Sequence, residues 1–69
     1  MYWEVEWKTW NEEIKDYETS SDVYHTWEKT LEIFMECVKD NLCGGATVYC
    51  FMGDMPYTTD DPIVLEYRP

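Results

Sequence analysis

The segment from Ser20 to Gly44 constrains the fold most strongly, because its pattern predicts the only long helix in the chain. Its apolar residues recur at steps of three and four, which places them on one stripe of a helix. These residues are Val23, Tyr24, Trp27, Leu31, Phe34, Met35, Val38 and Leu42. Ser20, Ser21 and Asp22 are N-cap candidates, and Gly44 is suited to end the helix. About 22 residues at about 1.5 Å each predict a rod of roughly 33 Å.

Period-two alternation predicts a first strand over residues 2–10. Trp3, Val5 and Trp7 alternate there with charged side chains, which is the pattern of a half-buried strand. Residues 14–19, IKDYET, favour a second strand that returns antiparallel to the first, although they alternate poorly. An edge strand or a bulge explains the poor alternation, and an irregular acidic loop is the alternative.

Two further apolar runs predict strands over residues 46–52 and 63–67, and the turn-rich, acidic residues 53–62 connect them. The expected fold is α+β, in the order β-β-α-β-β, with a four-stranded, mostly antiparallel sheet and one long helix packed on one face. If residues 14–19 form no strand, the order becomes β-α-β-β. The side chains expected between helix and sheet are Trp27, Leu31, Phe34 and Val38 on the helix and Trp3, Val5 and Trp7 on the first strand. With 69 residues, the chain is expected to form a single domain, residues 1–69.

The charge balance is strongly acidic, with 15 carboxylates against five cationic side chains and a net charge of −10. Such a field repels nucleic acid and anionic membranes and attracts basic partners, so we expect no direct nucleic-acid or membrane binding. The N-terminus has neither the basic nor the apolar region of a signal peptide, and no apolar run approaches the roughly 20 residues of a membrane span. The expected location is the cytoplasm, with free thiols.

Four acidic residues follow the predicted helix at steps of four: Glu28, Glu32, Glu36 and Asp40. Neighbours at this spacing stand about 6 Å apart on the helix surface. A solvated face is the ordinary interpretation of such a row. A surface that imitates a phosphate backbone is the sharper one, and it is favoured because solubility needs far less net charge than this. We therefore treat these four residues as candidate partner-binding groups.

Aromatic residues supply the second candidate surface, because Trp and Tyr are common anchors of protein interfaces. Trp10 and Tyr57 do not follow the core-facing spacing, although Trp10 capping the open end of a small core is an equally good interpretation. Tyr57 lies in the acidic segment 53–62 together with Asp60 and Asp61. This segment lacks the oxygen-ligand spacing of a calcium loop, and a mobile acidic loop is the plainer interpretation. The candidate binding set therefore also includes Trp10, Tyr57, Asp60 and Asp61.

The sequence offers little for metal binding or catalysis. Cys37, Cys43, Cys50 and His25 could form a Cys₃His zinc site, but their spacing differs from that of structural zinc sites, so buried free cysteines and no metal are expected. A disulfide between Cys43 and Cys50 requires Cα atoms within about 7 Å. The single His has no partner that would make a nucleophile and base, and no Gly-rich loop precedes a helix. We expect no catalytic residue, no cofactor and no enzyme activity.

In size, acidity and compact α+β pattern, the chain resembles the small inhibitors of bacterial defence that phages and mobile elements encode, the anti-CRISPR and anti-restriction proteins. The resemblance implies a non-catalytic inhibitor that binds a basic, nucleic-acid-handling protein or complex in the host cytoplasm, as a nucleic-acid mimic. The alternative is a structural or assembly module that homodimerises through exposed aromatics or the edge strand of residues 14–19. Monomer and homodimer both remain open, and a small metal-binding regulator is a third hypothesis.

Overall fold

The computed structural model describes residues 1–51 and 63–69, and it confirms the predicted α+β fold in the order β-β-α-β-β. The elements are β1 (Tyr2–Asn11), β2 (Asp16–Tyr24), α1 (Trp27–Lys39), β3 (Cys43–Phe51) and β4 (Ile63–Tyr67). All neighbouring strands pair antiparallel, in the spatial order β2-β1-β3-β4. Among the described strands, β2 and β4 are therefore the edges of the sheet.

A tight hairpin joins β1 to β2, and it corrects the predicted bounds of the second strand. The Asn11 side chain accepts a hydrogen bond from the Glu13 amide at 2.9 Å, and Lys15 adopts a left-handed φ of 54°. Ile14 thus lies in the turn, and β2 starts two residues later than predicted and runs on to Tyr24. The poor alternation of residues 14–19 has this cause, and the alternatives of a loop or a β-α-β-β order are wrong.

The helix is shorter than predicted. It begins after Thr26, whose hydroxyl accepts a hydrogen bond from the Lys29 amide at 3.3 Å, and ends at Lys39. Residues 20–24, which were expected to open the helix, form the end of β2 instead. Ser and Asp compete for the backbone in non-helical conformations, and Val and Tyr fit a strand. The 13 residues of α1 make a rod of only about 20 Å.

Gly44 and Gly45 also differ from the prediction, because they lie inside β3 and do not end the helix. A short turn follows α1, in which the Asp40 carboxylate accepts the Leu42 amide at 2.9 Å. The register of β1 against β3 shifts between Lys8 and Thr9, opposite this start of β3. Gly45 has a φ of +145°, a backbone conformation that residues other than glycine rarely adopt. The two glycines therefore serve an irregular strand start.

The core lies between α1 and the central strands β1 and β3. Val5 and Val48 pair across these strands and are fully buried, and Phe34 of the helix packs on them together with Ala46. The predicted inward face of β1 is confirmed, since Trp3 and Trp7 flank this core on either side of Val5. These contacts fix the sheet face that carries the helix.

The buried face of the helix is only partly the predicted one. Phe34 is buried and Val38 packs against the core as expected, but Trp27 and Leu31 are each 37% exposed. Thr30 is fully buried in their place, and its hydroxyl donates to the Thr26 carbonyl at 2.7 Å. This hydrogen bond satisfies the one polar group that the helix buries, so Thr30 is tolerated where an apolar residue was expected.

Candidate partner-binding surfaces

The acidic row on the helix lies on the solvent side, as the spacing predicts. Glu28, Glu32, Glu36 and Asp40 are all exposed. The same side carries Lys29 and Lys39, so four carboxylates face two cations within residues 28–40 and the local net charge is only −2. Lys29 Nζ lies 3.8 Å from Glu32 Oε2, and both side chains are more than half exposed. Such a pair contributes little to stability, but it weakens the local field.

Asp40 differs from the other three members of the row. It is the C-cap of α1 and not a helical residue, and its carboxylate is held by the Leu42 amide. Its amide in turn donates to the Cys37 carbonyl at 3.2 Å. Asp40 therefore has a structural role in the turn, in addition to its exposed charge.

The β1–β2 hairpin carries more of the acidity than the helix does. Residues 1–24 contain seven carboxylates and two lysines, a net charge of −5 and thus half of the whole chain's −10. Within β2 itself there are three carboxylates, on Asp16, Glu18 and Asp22, and no cation. All three are exposed. Sequence reasoning missed this surface because it assigned Asp22 to the helix.

Within residues 1–51 and 63–69, no strand pairs with the outer side of the β2 main chain. The Tyr17 amide donates to Asp16 Oδ1 at 2.7 Å, and the Val23 amide donates to Asp22 Oδ1 at 2.8 Å. These two amides therefore point away from β1. Residues two apart in an antiparallel pair direct their main-chain groups to the same side, so the N–H and C=O groups of Thr19 and Ser21 face the open edge as well.

Trp10 lies near the hairpin turn, where it forms an aromatic patch with Tyr17. The ring centroids are 5.2 Å apart, in an edge-on arrangement of 74°. Trp10 Nε1 donates to Glu12 at 2.8 Å, while Glu18 accepts from Asn11 Nδ2 at 2.8 Å. Carboxylates thus border the patch, an arrangement that suits the charged and alkyl parts of a Lys or Arg side chain. The other predicted anchor and its acidic neighbours, Tyr57, Asp60 and Asp61, lie outside the described residues.

The Tyr17 ring also crosses the open face of the sheet to reach β3. A Cβ built on Gly44 would come within 2.9 Å of Tyr17 Cζ and closer still to two other ring atoms. Any side chain at position 44 would therefore displace the ring above it. This contact links β2 to β3 across the intervening strand β1.

A shallow concavity of about 360 Å³ lies on the sheet beside Gly44. Its charged lining residues are Glu6, Lys8, Glu66 and Arg68, two of each sign. Arg68 Nη2 lies 2.7 Å from Glu66 Oε1, so this pair is largely self-neutralised. Balanced charge gives the concavity no preference for a cationic or an anionic ligand, and it contributes nothing to the acidic surfaces.

The cysteines are free, and they are spread over α1 and β3. Cys43 and Cys50 lie seven residues apart on one strand, about 23 Å at the usual rise, so the distance condition for a disulfide between them is not met. Burial raises the pKa of the Cys37 thiol, and Cys43 and Glu36 act in the same direction. Within residues 1–51 and 63–69, no group of three His, Cys, Asp or Glu side chains could hold a metal ion.

Among the described residues, α1 is the one helix, and it lacks the length and apolar character to cross a bilayer.

Comparison with protein-family models, with curated proteins and with solved structures gave no match. The fold and the surfaces therefore define the class: a small α+β protein whose acidic hairpin ends in an open sheet edge.

Proposed function

We propose that this chain is a non-catalytic inhibitor that binds a basic, nucleic-acid-handling protein and covers its basic surface. The observation that supports this most is the concentration of charge in the β1–β2 hairpin, where a net −5 coincides with an exposed strand that carries three carboxylates and no cation. A surface of this sign accelerates association with a positive partner and disfavours acidic ones.

The charge density supports partial mimicry of nucleic acid rather than a copy of it. The longest dimension of the molecule is 38 Å. A duplex of that length carries about 22 charges, at about one per 1.7 Å, whereas the whole chain has a net charge of −10. With less than half the charge of a duplex of this length, the protein can attract a partner over a long range. It cannot reproduce all the contacts that the partner makes with the phosphates of a duplex. Specific short-range contacts must therefore add to the affinity.

The aromatic patch of Trp10 and Tyr17 provides such contacts. Tyr17 is 48% exposed, and it belongs to β2, next to the carboxylates that attract the partner. Aromatic side chains of this kind commonly dominate the energy of an interface, while the surrounding charges determine orientation. In this proposal the helix residues Glu28, Glu32 and Glu36 contribute steering, weakened by the two lysines among them.

The proposal is tested by capture from a nuclease-treated bacterial lysate. The immobilised protein is washed at low and at high salt, and the retained proteins are identified. We expect a basic nucleic-acid-binding protein that is released as salt rises and displaced by added duplex DNA or RNA. A retained protein that neither salt nor nucleic acid displaces would contradict mimicry.

The assembly module remains the second candidate, because β2 is an open edge strand. The charges of β2 weigh against self-pairing. An antiparallel pairing that uses the whole strand is centred on Ser20, and it places Glu18 of each copy opposite Asp22 of the other. Like charges directly opposite destabilise a strand pair. Light scattering across a dilution series decides the matter: a mass that stays monomeric excludes the assembly module, and a dimer that persists on dilution supports it.

A further inference from the structure

We propose that β2 binds an extended, cationic segment of the partner, which pairs antiparallel with the open edge and adds a fifth strand to the sheet. This inference rests on the proposed function for the sign of the partner, and it goes beyond it by naming the segment and the mode of binding. Edge-strand addition draws affinity from main-chain hydrogen bonds and specificity from alternate side chains.

The main-chain groups needed for this mode are available in the middle of the strand. The amides of Tyr17 and Val23 are already held by the preceding aspartates, at 2.7 and 2.8 Å. Between them, Thr19 and Ser21 direct their N–H and C=O groups to the same open side. An incoming strand can therefore form a ladder centred on these two residues without displacing β1.

The two aspartates lie at the ends of this open stretch. Each uses Oδ1 for an amide of its own strand, so its exposed carboxylate is held close to the sheet edge. A carboxylate accepts about four hydrogen bonds in total, which leaves capacity for a Lys or Arg donor. Asp22 lies six positions after Asp16, about 20 Å along a strand, so the bound segment needs cationic side chains near both ends.

The same carboxylates select among possible strands. They oppose a second copy of β2, since Glu18 and Asp22 would then face each other, and they oppose any acidic strand for the same reason. A neutral strand gains the main-chain bonds alone. A cationic strand gains both the main-chain bonds and the charge pairs, so the edge favours one partner chemistry by discouraging the others.

The geometry also assigns which amides of the segment face β2. Residues directly opposite each other in a strand pair lie on the same face of the sheet. Cationic residues opposite Asp16, Glu18 and Asp22 therefore alternate with residues opposite Thr19 and Ser21. Only the second set directs its N–H groups toward β2.

The test uses a capped nonapeptide that alternates lysine and threonine, with the intact protein at low salt. Two N-methylated isomers carry the same charge: one is methylated on the threonine amides, the other on the lysine amides. We expect the threonine-methylated isomer to bind at least about tenfold more weakly, because its main-chain donors toward β2 are lost. The lysine-methylated isomer should bind within about twofold of the parent peptide, since its blocked amides face solvent.

The outcomes separate this inference from the proposed function. If both isomers bind as well as the parent peptide, strand addition is overturned while the cationic partner stands. If the parent peptide binds no better than its glutamate–threonine counterpart, the cationic partner itself is contradicted. On the protein side, Thr19→Pro removes one outward N–H at an edge position that tolerates proline. This variant should keep its circular dichroism spectrum and lose peptide affinity, whereas Met35→Ala, at an exposed position on the helix, should keep both.

Discussion

The helix α1 and the edge strand β2 are both acidic, but they differ in what they offer a partner. The solvent side of α1 mixes three carboxylates with two lysines, and its helical hydrogen bonds occupy the main chain. The strand β2 has three carboxylates without a cation, and one side of its main chain is left unpaired by the other described strands. Acidity alone therefore does not define a binding surface here. The combination of unopposed charge with open main-chain groups distinguishes β2.

The two regions also differ in how they are anchored, and this gives the largest expected effect. Phe34→Ala removes the buried side chain that joins α1 to the sheet, and we expect it to lower the free energy of unfolding by about 3 kcal/mol. In a chain of 69 residues this is a large part of the total stability. Urea unfolding followed by tryptophan fluorescence measures it.

The matched control is Val23→Ala, which truncates a 43%-exposed side chain on β2. We expect a change within about 0.5 kcal/mol, as for most surface substitutions. If Val23→Ala lowered the free energy of unfolding as much as Phe34→Ala does, β2 would be as firmly anchored as α1. The proposed difference between the two regions would then be contradicted.

Charge reversal compares the two acidic regions directly. Asp16→Lys with Asp22→Lys changes the net charge by +4, and so does Glu28→Lys with Glu32→Lys. We expect the β2 pair to weaken binding of the lysine–threonine peptide by about tenfold or more, and the helix pair by about threefold. Isothermal titration calorimetry at two salt concentrations measures both. Equal losses would mean that only the total charge matters, not its position on the open edge.

The sheet was predictable from the sequence because alternation in β1 is nearly strict and β4 is bounded by turn residues. The ends of α1 were not predictable in the same way. Tyr24 and Trp27 are three residues apart, so they continue a helical spacing although they belong to a strand and a helix. Periodicity does not resolve such a junction, and the N-cap at Thr26 competes with equally good candidates at Ser20 and Ser21.

The negative charge of the candidate surface was predictable from the sequence, but the position of the surface was not. Net charge follows directly from composition, whereas the open edge at Thr19 and Ser21 depends on the strand order of the sheet. The same holds for Tyr17, whose contact with Gly44 joins residues far apart in the sequence. Such contacts arise from tertiary structure, which no local spacing encodes.

The contact between Tyr17 and Gly44 allows a test of how β2 is linked to the rest of the sheet. Gly44→Ala forces the ring away, and because the ring is the end of a movable side chain we expect a cost of about 1 kcal/mol. In a Tyr17→Ala background the same substitution should cost clearly less, since no ring then occupies the space. A double-mutant cycle by urea unfolding measures this coupling. Additive effects would show that the ring does not link β2 to β3.

The smallest expected effect concerns Tyr24, where β2 approaches α1. Burial raises the pKa of the Tyr24 phenol above its ordinary value, and the Asp22 carboxylate, 3.4 Å from the hydroxyl, acts in the same direction. The folded state therefore holds this proton more tightly than the unfolded chain does. The stabilisation is fully present below about pH 10, the unfolded pKa, and is lost as pH rises through the folded pKa.

Tyr24→Phe removes the titrating group, so the stability advantage of the unmodified protein over the variant should be constant from about pH 8 and shrink as the pH rises above about 10. Burial raises the pKa of Cys37 as well, but this thiol is present in both proteins, so its contribution largely cancels in the difference. Urea unfolding of both proteins across this range measures the effect. Parallel pH profiles would mean that Tyr24 ionises as freely in the folded protein as in the unfolded chain, and that the end of β2 is open to water even where it meets the helix.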